Sequence, residues 1–241
     1  MISRYPAQQM QEGAGVHVSR LMPIASFRNY DPIVLWDDFT ITPGNGFPEH
    51  PHRGFEGLTY LFSGSLKHTD NLGNSSTVEG GGAQRFTAGR GLVHSEMPND
   101  VAATRGIQLW INLPKRLKQV EPGYQQVNDG EFPVKVIDGG RVKTIVGADS
   151  PLQLLTPVRY AHIHLDANAS YSEAIAAGMR GLVYVVEGSV EINGQHYAKA
   201  DAAFIDDETA ISIKAQATSQ LMLCLGAPHG EPIIQYGPYV D

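Results

Sequence analysis

Two short segments carry the side chains of this sequence best suited to chemistry. They are His50-Pro51-His52 and His94-Ser95-Glu96. In each, two metal-binding side chains are two positions apart, which places them on one face of a β-strand but on different faces of a helix. If the two strands face each other, three imidazoles and one carboxylate converge. The spacing therefore predicts a metal site formed by His50, His52, His94 and Glu96.

These ligand types narrow the range of possible metal ions but do not identify one ion. Imidazole and carboxylate, with no thiolate, suit Fe(II), Mn(II), Ni(II), Cu(II), Co(II) or Zn(II). Four protein ligands around a six-coordinate ion leave two positions for water, substrate or dioxygen, whereas a tetrahedral zinc would be closed and structural. Glu56 is a competing carboxylate, and spacing alone leaves the choice between Glu56 and Glu96 open.

Four neighbouring residues are candidates for the walls of a substrate pocket. Arg53 and Arg90 are placed to bind an anionic substrate or to orient carboxylates near the metal, although solvated rim positions are equally consistent. Phe47 and Phe55 suit apolar pocket walls, and equally an ordinary core.

The remaining histidines and the single cysteine receive other interpretations. His162 and His164 share a strand face but have no His-x-Glu partner in their half of the chain, so we expect surface or interface positions. His17 is expected at the surface or rim. Cys224 lies in an apolar run and is expected to be a buried, unreactive thiol. No role is predicted for three histidines that stand isolated in the sequence: His68, His196 and His229.

Short alternating apolar segments predict the elements that would position the site. Segment 16–22 is predicted as the first strand, 57–62 as a strand closed by a Ser-Gly-Ser turn, and 107–113 alternates clearly; turn signals recur every eight to twelve residues. That spacing, with 26 glycines and 15 prolines, is typical of an antiparallel all-β fold. Pro51 has no backbone N–H group, so it can lie only at the end of a strand, on an edge strand or at a bulge. Residues 114–130 lose the pattern and are predicted to form a linker.

An internal repeat predicts two copies of one β-barrel. Residues 58–66 match residues 182–190 at an offset of 124, with Leu, Tyr, Gly and Ser in common. At that offset His50 and His52 correspond to Ala174 and Ala176. Downstream, an offset of 118 matches His94 with Ser212 and Glu96 with Lys214. We therefore expect barrels at 1–125 and 126–241, with the metal only in the first.

Composition argues against several classes of function. The formal net charge is -7, so direct nucleic-acid binding is not expected. No apolar run approaches the roughly 20 residues of a membrane span, and no signal peptide is recognisable at the N-terminus. One cysteine suits a reducing compartment. A cytoplasmic protein without membrane contact is expected.

Several motifs together resemble the pirin family of bicupins. The resemblance extends from about residue 17 to residue 238, and its most specific parts are the His-Pro-His-Arg-Gly and Ala-Gly-Arg-Gly runs. The matching segments are His50–Glu56, Thr87–Pro98, Asn29–Pro32, Leu109–Leu113 and Pro232–Pro238.

The resemblance implies a specific fold and site. It implies two stacked antiparallel cupin barrels of the double-stranded β-helix, or jelly-roll, type, with a C-terminal tail that returns to the first barrel. It implies one metal ion, usually iron, held in the first barrel by positions that match His50, His52, His94 and Glu96. On this basis Glu96 is favoured over Glu56, and Fe(II) over the other ions.

Three functions are consistent with these residues and with the resemblance. The first is a quercetin 2,3-dioxygenase-like oxidoreductase that acts on a small aromatic, flavonol-like substrate and dioxygen, with Glu96 as the catalytic base. The second is a metal- and redox-dependent interaction module for a protein partner, a transcriptional or metabolic co-regulator without turnover. The third is a purely structural metal.

Overall fold

The computed structural model describes residues 2–99 and 102–241 and is built almost entirely from β-strands. Only two short 3-10 turns, Lys115–Leu117 and Asp129–Glu131, are helical among these residues. Within the same ranges, no helix is long and apolar enough to cross a membrane. The strands up to residue 127 are β1 Ile2–Pro6, β2 Gln8–Glu12, β3 Val16–Met22, β4 Ile33–Ile41, β5 Phe47–His52, β6 Phe55–Ser63, β7 Ser65–Asp70, β8 Ser75–Glu79, β9 Ala83–Thr87, β10 Leu92–Pro98, β11 Thr104–Asn112 and β12 Gly123–Val127.

The rest of the chain repeats this arrangement of short strands. They are β13 Val134–Ile137, β14 Gly140–Val146, β15 Val158–Leu165, β16 Ser170–Ala174, β17 Arg180–Glu187, β18 Ser189–Ile192, β19 Gln195–Ala198, β20 Asp201–Ile205, β21 Ala210–Ala215, β22 Ser219–Gly226, β23 Gln235–Tyr236 and β24 Tyr239–Val240. The predicted all-β fold is confirmed.

The strands form two compact units. The N-terminal unit contains Gln8–Glu131 and the tail His229–Asp241. The C-terminal unit contains the residues up to Ala7 and Phe132–Pro228. Division of the chain into two folding domains at 1–125 and 126–241 stays a prediction.

In the N-terminal unit a seven-stranded and a four-stranded antiparallel sheet enclose the core. Their strand orders are β12-β9-β6-β11-β4-β3-β2 and β5-β10-β7-β8. Strand β10 therefore lies between β5 and β7 and carries hydrogen bonds on both sides. Apolar side chains from both sheets, such as Phe39, Leu61 and Val78, fill the space between them.

The C-terminal unit has the same strand order. Its sheets run β1-β20-β17-β22-β15-β14-β13 and β16-β21-β18-β19. The larger sheet of the C-terminal unit begins with β1, which precedes the main run of that unit's strands, and the larger sheet of the N-terminal unit begins with β12, the last strand of its main run. Each of these two strands occupies an edge that would otherwise expose unpaired backbone groups.

Two sequence predictions about these edges are wrong. The segment 114–130, predicted as a linker, contains β12, which pairs with β9 over its whole length. The polar segment before Val16, where no strand was predicted, contains β1 and β2. Edge strands with polar sequences such as Gly-Tyr-Gln-Gln-Val show little apolar alternation, so pairing with a neighbour decides their structure.

Strand register also corrects the alignment of the two copies on β10 and β21. The offset of 124 matches β7 with β18, so His68 corresponds to Ile192. Glu96 lies opposite His68, and Ile213 lies opposite Ile192. Glu96 therefore corresponds to Ile213, and His94 to Ile211, rather than to Lys214 and Ser212. The true offset on this strand is 117.

The same correction applies to the first histidine pair. His94 pairs with His50, and Ile211 pairs with Glu173. His50 therefore corresponds to Glu173, and His52 to Ile175, instead of Ala174 and Ala176. An error of one residue exchanges the two faces of a strand, which is why the sequence alignment matched inward-pointing histidines with outward-pointing small or charged residues.

Candidate metal centre

Two adjacent strands bring the three predicted histidine ligands together. His50 and His52 lie on β5 and His94 on β10, with His94 directly opposite His50. One ring nitrogen from each lies within 4.8 Å of the others, and the Nε2 atoms of His50 and His94 are 3.2 Å apart. Pro51 is accommodated because β5 is the edge strand of its sheet.

Backbone carbonyls orient two of the rings. The Nδ1 atom of His50 donates to the carbonyl oxygen of Pro48 at 2.7 Å, and Nδ1 of His52 donates to that of Pro238 at 3.2 Å. In a neutral imidazole the proton on Nδ1 leaves a lone pair on Nε2. Metal-binding histidines are commonly held by such a bond from the second nitrogen. Both Nε2 atoms are thus available at the centre of the cluster.

Burial keeps the rings of His52 and His94 neutral. Burial, followed by repulsion from His50, lowers the pKa of His52 to about 3. Burial and the neighbouring histidines hold the pKa of His94 well below its usual value. Neutral rings have lone pairs free, and converging lone pairs repel one another unless a cation lies between them. The donor set therefore fits one divalent metal ion.

Glu96 lies next to this triad. It is buried, and its Oε1 atom accepts hydrogen bonds from Thr59 Oγ1 at 2.9 Å and Gln84 Nε2 at 2.5 Å. It belongs to a second group of possible ligands with His68 and His94. Among the described residues no group within 4.8 Å contains all four predicted ligands. Metal ligation and catalysis by Glu96 therefore stay predictions.

The competing carboxylate has a different environment. Glu56 is buried on β6 and accepts a hydrogen bond from the hydroxyl of Thr87 at 2.8 Å. Neither candidate ligand group in the described part of the chain includes Glu56.

The interpretation of His68 as an isolated histidine is wrong. It is fully buried on β7, opposite Glu96, and its Nδ1 atom lies 3.4 Å from Nδ1 of His94. Its Nε2 atom donates to Asp70 Oδ2 at 3.0 Å. The sequence did contain a signal, because His68-x-Asp70 repeats the spacing of two seen in His-x-His and His-x-Glu.

A cavity of about 680 Å³ in the N-terminal unit opens onto His50, His52 and Glu96. A ligand site of this size holds a small organic molecule. Its lining includes the predicted wall residue Phe47 and the apolar side chains of Val18, Leu35, Phe39 and Trp110.

The other three predicted pocket residues do not line this cavity. Phe55 is fully buried and stacks on Trp110, with ring centroids 4.1 Å apart. Arg90 pairs with Glu121 at 2.6 Å. Arg53 forms two hydrogen bonds to Asp241, at 3.0 and 2.7 Å, so it binds the C-terminal tail.

The tail forms part of the site. Gln235, Gly237 and Pro238 line the cavity, and Pro238 supplies the carbonyl that orients His52. Besides Arg53, the tail is held by Lys118, whose Nζ atom donates to the carbonyl of Val240 and to two other oxygens. Sequence reasoning did not predict this direct contact with a candidate ligand.

The remaining predictions for single residues have mixed outcomes. His17 is exposed, as expected. Cys224 is buried as predicted, and burial raises the pKa of its thiol. His162, predicted at a surface or interface, is only 5% exposed, while His164 is half-buried. His229 donates from Nε2 to the carbonyl of Asn112 at 2.9 Å and is therefore not isolated.

Comparison with known proteins identifies relatives along almost the whole chain. A putative quercetin 2,3-dioxygenase of Pseudomonas aeruginosa is 36% identical, covering 95% of this chain and 87% of its own. The crystal structure of a quercetin 2,3-dioxygenase from Acinetobacter baumannii superimposes with a TM-score of 0.91 at 27% identity, covering 99% of this chain and 90% of that one.

A third relative carries a metal in its structure. The bacterial pirin YhhW from Escherichia coli, solved in complex with nickel(II), has a TM-score of 0.80 and 26% identity, covering 95% of this chain and 99% of that chain. The fold of this protein is thus the bicupin fold of pirin structures. The pirin family model matches residues 7–111 and the model of the pirin C-terminal cupin domain matches 160–241, so this chain belongs to the pirin family.

Proposed function

We propose that this protein is a metal-dependent dioxygenase of the quercetinase type, with iron(II) as its resident metal and a flavonol-like substrate. The observation that carries the proposal is the position of the histidine triad: His50 and His52, whose Nδ1 hydrogen bonds leave the lone pairs on Nε2, border an organic-sized cavity. A structural metal needs no such cavity. The similarity to proteins named as quercetin 2,3-dioxygenases supports the same reaction class.

His50, His52 and His94 would hold the ion, with Glu96 beside or on it. An ion bound there would supply Lewis acidity, which lowers the pKa of a coordinated substrate hydroxyl. The protein's own part is to hold the three rings in position and to keep His52 and His94 neutral before substrate arrives.

Glu96 would accept the proton of the substrate hydroxyl. Thr59 and Gln84 both donate to Oε1, which fixes the carboxylate and leaves Oε2 without a hydrogen bond from any described residue. Because Glu96 lines the cavity, Oε2 is the oxygen available to a bound hydroxyl. A base positioned in this way contributes about 10²- to 10⁴-fold to a rate.

The cavity walls would select a flat, largely apolar substrate. Phe39, Phe47 and Trp110 offer aromatic surfaces, while Val18 and Leu35 exclude water. Stacking against such surfaces favours a planar aromatic ring system. The buried Arg20, which pairs with Asp37 through two hydrogen bonds of 2.8 and 2.6 Å, closes one wall with its charge already compensated.

Oxygen uptake tests this proposal. Iron(II)-loaded protein is expected to consume dioxygen with quercetin or another flavonol, whereas the metal-free protein is not. Glu96→Gln should lower kcat by about 10²- to 10⁴-fold. Ser212→Ala, at an exposed position in the C-terminal unit, is the control and should retain full activity. Metal-loaded protein that consumes no oxygen across a flavonol panel would rule out the proposed reaction.

A further inference from the structure

His94 differs from the other two histidines in what holds its second ring nitrogen. His50 and His52 each donate to a backbone carbonyl. His94 lies on β10, whose backbone pairs with β5 on one side and β7 on the other, so the carbonyls around it belong to the strand ladders. The partner available to its Nδ1 atom is a side chain, His68, at 3.4 Å.

His68 is in turn fixed by a carboxylate. Its Nε2 atom lies 3.0 Å from Asp70 Oδ2, and the side chains of both residues are completely buried. The ring of His68 also stacks on Tyr124, with centroids 4.1 Å apart and planes at 18°. With its proton on Nε2, facing Asp70, His68 presents a lone pair on Nδ1 towards His94. The ring therefore has one tautomer and one orientation available.

Asp70 is suited to remain an anion in this position. Burial alone would raise its pKa, but the hydrogen bonds from His68, from the side chain of Asn74 and from the backbone of Asn74 and Leu72 lower it overall. Oδ1 accepts the turn hydrogen bonds from Leu72 and Asn74, which leaves Oδ2 for His68 and one further bond from Asn74.

We propose that Asp70 and His68 are positioning residues that fix His94 as an Nε2 metal ligand, through a buried series of hydrogen bonds from His94 Nδ1 to His68 Nδ1 and from His68 Nε2 to Asp70. Partners of this kind orient a ligand and raise its basicity, and their loss typically weakens metal binding by about 10- to 100-fold. The inference rests on metal binding by His94, which is part of the proposed function, but not on the oxygenase reaction.

A second role for His68 must be separated from this one. His68, His94 and Glu96 themselves lie close enough to bind an ion. Such an ion would take the lone pairs of both Nδ1 atoms, and His94 could then serve the triad only as a doubly deprotonated bridge. The two arrangements differ in stoichiometry: the positioning role predicts one ion per chain, and the bridge predicts two.

The decisive variant is Asp70→Asn, tested with cobalt(II) as the probe metal. The amide has nearly the same shape and keeps an oxygen for the turn, but it presents an N–H to His68 Nε2. The proton of His68 would then move to Nδ1, where it faces the N–H of His94. We expect a loss of about 10- to 100-fold in cobalt(II) affinity by chelator competition, with one ion per wild-type chain.

Two further variants distinguish positioning from a general effect on the fold. Asn74→Ala removes a partner of Asp70 in the same turn but leaves the His68 hydrogen bond, so its affinity should stay within about twofold of wild type. His68→Phe retains stacking on Tyr124 and removes the acceptor for His94, so it should lose affinity as Asp70→Asn does. Nitrogen-15 NMR of the zinc(II)-loaded protein should show His68 protonated on Nε2 in the wild type and on Nδ1 in Asp70→Asn.

The possible results separate the two proposals. If wild type binds one cobalt(II) and Asp70→Asn binds it equally well, or if Asn74→Ala loses as much as Asp70→Asn, the positioning role is wrong while the metal site stands. Two ions per wild-type chain, or a His68 ring protonated on both nitrogens, also overturns it. Wild-type protein that binds no cobalt(II) overturns the inference together with the metal site of the proposed function.

Discussion

The two units have the same strand order, but at corresponding inward-facing positions one has polar side chains and the other has apolar side chains. His52, His68, His94 and Glu96 of the N-terminal unit correspond in register to Ile175, Ile192, Ile211 and Ile213 of the C-terminal unit. All four isoleucines belong to one buried apolar core. The same strand framework therefore folds around an apolar centre in one unit and a polar one in the other.

The residues that support the polar centre differ in the same way. Thr59 and Gln84, which donate to Glu96, face each other across β6 and β9. The corresponding pair across β17 and β20 is Val183 and Ala203. Buried polar groups are stable only when they are hydrogen-bonded, so ligands and partners occur together or not at all.

Position 50 follows another rule. It corresponds to Glu173, which is half-buried and forms an ion pair with Arg159 at 2.8 Å. This position lies at the outer end of the site, where a charged residue can reach solvent or a partner. At the four inner positions the C-terminal unit therefore has only buried apolar residues, whereas at the outer position it has a charged residue with its own ion-pair partner.

The largest expected effect is loss of the metal when a histidine of the N-terminal unit is replaced by the apolar residue found at the corresponding position of the C-terminal unit. His94→Ile gives position 94 the isoleucine that the C-terminal unit has at the corresponding position 211. Because a ligand itself is removed, metal affinity should fall by more than the roughly 10- to 100-fold typical of residues around a ligand. Metal analysis of purified protein measures this, with Ile211→Val as the matched control that should keep full occupancy. Normal occupancy in His94→Ile would show that the triad is not the metal site.

The converse experiment concerns the apolar centre. Ile213→Ala, at the counterpart of Glu96, should lower the free energy of unfolding of the C-terminal unit by about 2–5 kcal/mol, because it removes buried methyl groups and leaves a cavity. Metal content should not change. Chemical denaturation measures the free energy of unfolding, and metal analysis of the same sample measures the metal content. A loss of metal in Ile213→Ala would mean that the two centres are not independent.

A smaller effect is expected from protonation. Below pH about 6.5 an unfolded His52 takes up a proton, while the folded ring, with its pKa of about 3, does not. Metal-free protein should therefore lose stability as the pH falls from about 6.5 towards 3, by up to about 1.4 kcal/mol per pH unit for this ring. His52→Ile introduces the residue type found at the corresponding position 175. It should reduce the dependence of the free energy of unfolding on pH between pH 7 and 5, because isoleucine does not titrate. An unchanged slope in denaturation curves would contradict burial of a neutral His52.

Much of the site was predictable because it depends on local rules. The spacing of two in His50-x-His52 and His94-x-Glu96 assigns each pair to one strand face whatever the rest of the fold does. The missing N–H group of Pro51 allows only a strand end, an edge strand or a bulge, and the repeat at an offset of 124 predicts a second unit with the same strands. These features depend only on a residue and its near neighbours in the chain.

Other features depended on which strands pair and in what register. His94 corresponds to Ile211 rather than to Ser212, and only the pairing of β10 and β21 with their neighbours shows this. Hairpins of unequal length change the offset between the two copies, so the sequence alone does not give the alignment. His68 looked isolated in sequence, 26 residues before His94, until pairing of β7 with β10 brought the rings together.

The sequence alone determined the donor atoms and the strand faces that carry them, because residue type and alternation are local properties. The tertiary structure decided which acceptor holds each ring: Pro48 for His50, Pro238 of the distant tail for His52, and His68 with Asp70 for His94. Hydrogen bonds of this kind act over about 3 Å between residues up to 186 positions apart. Only the packed fold can bring such residues within that distance.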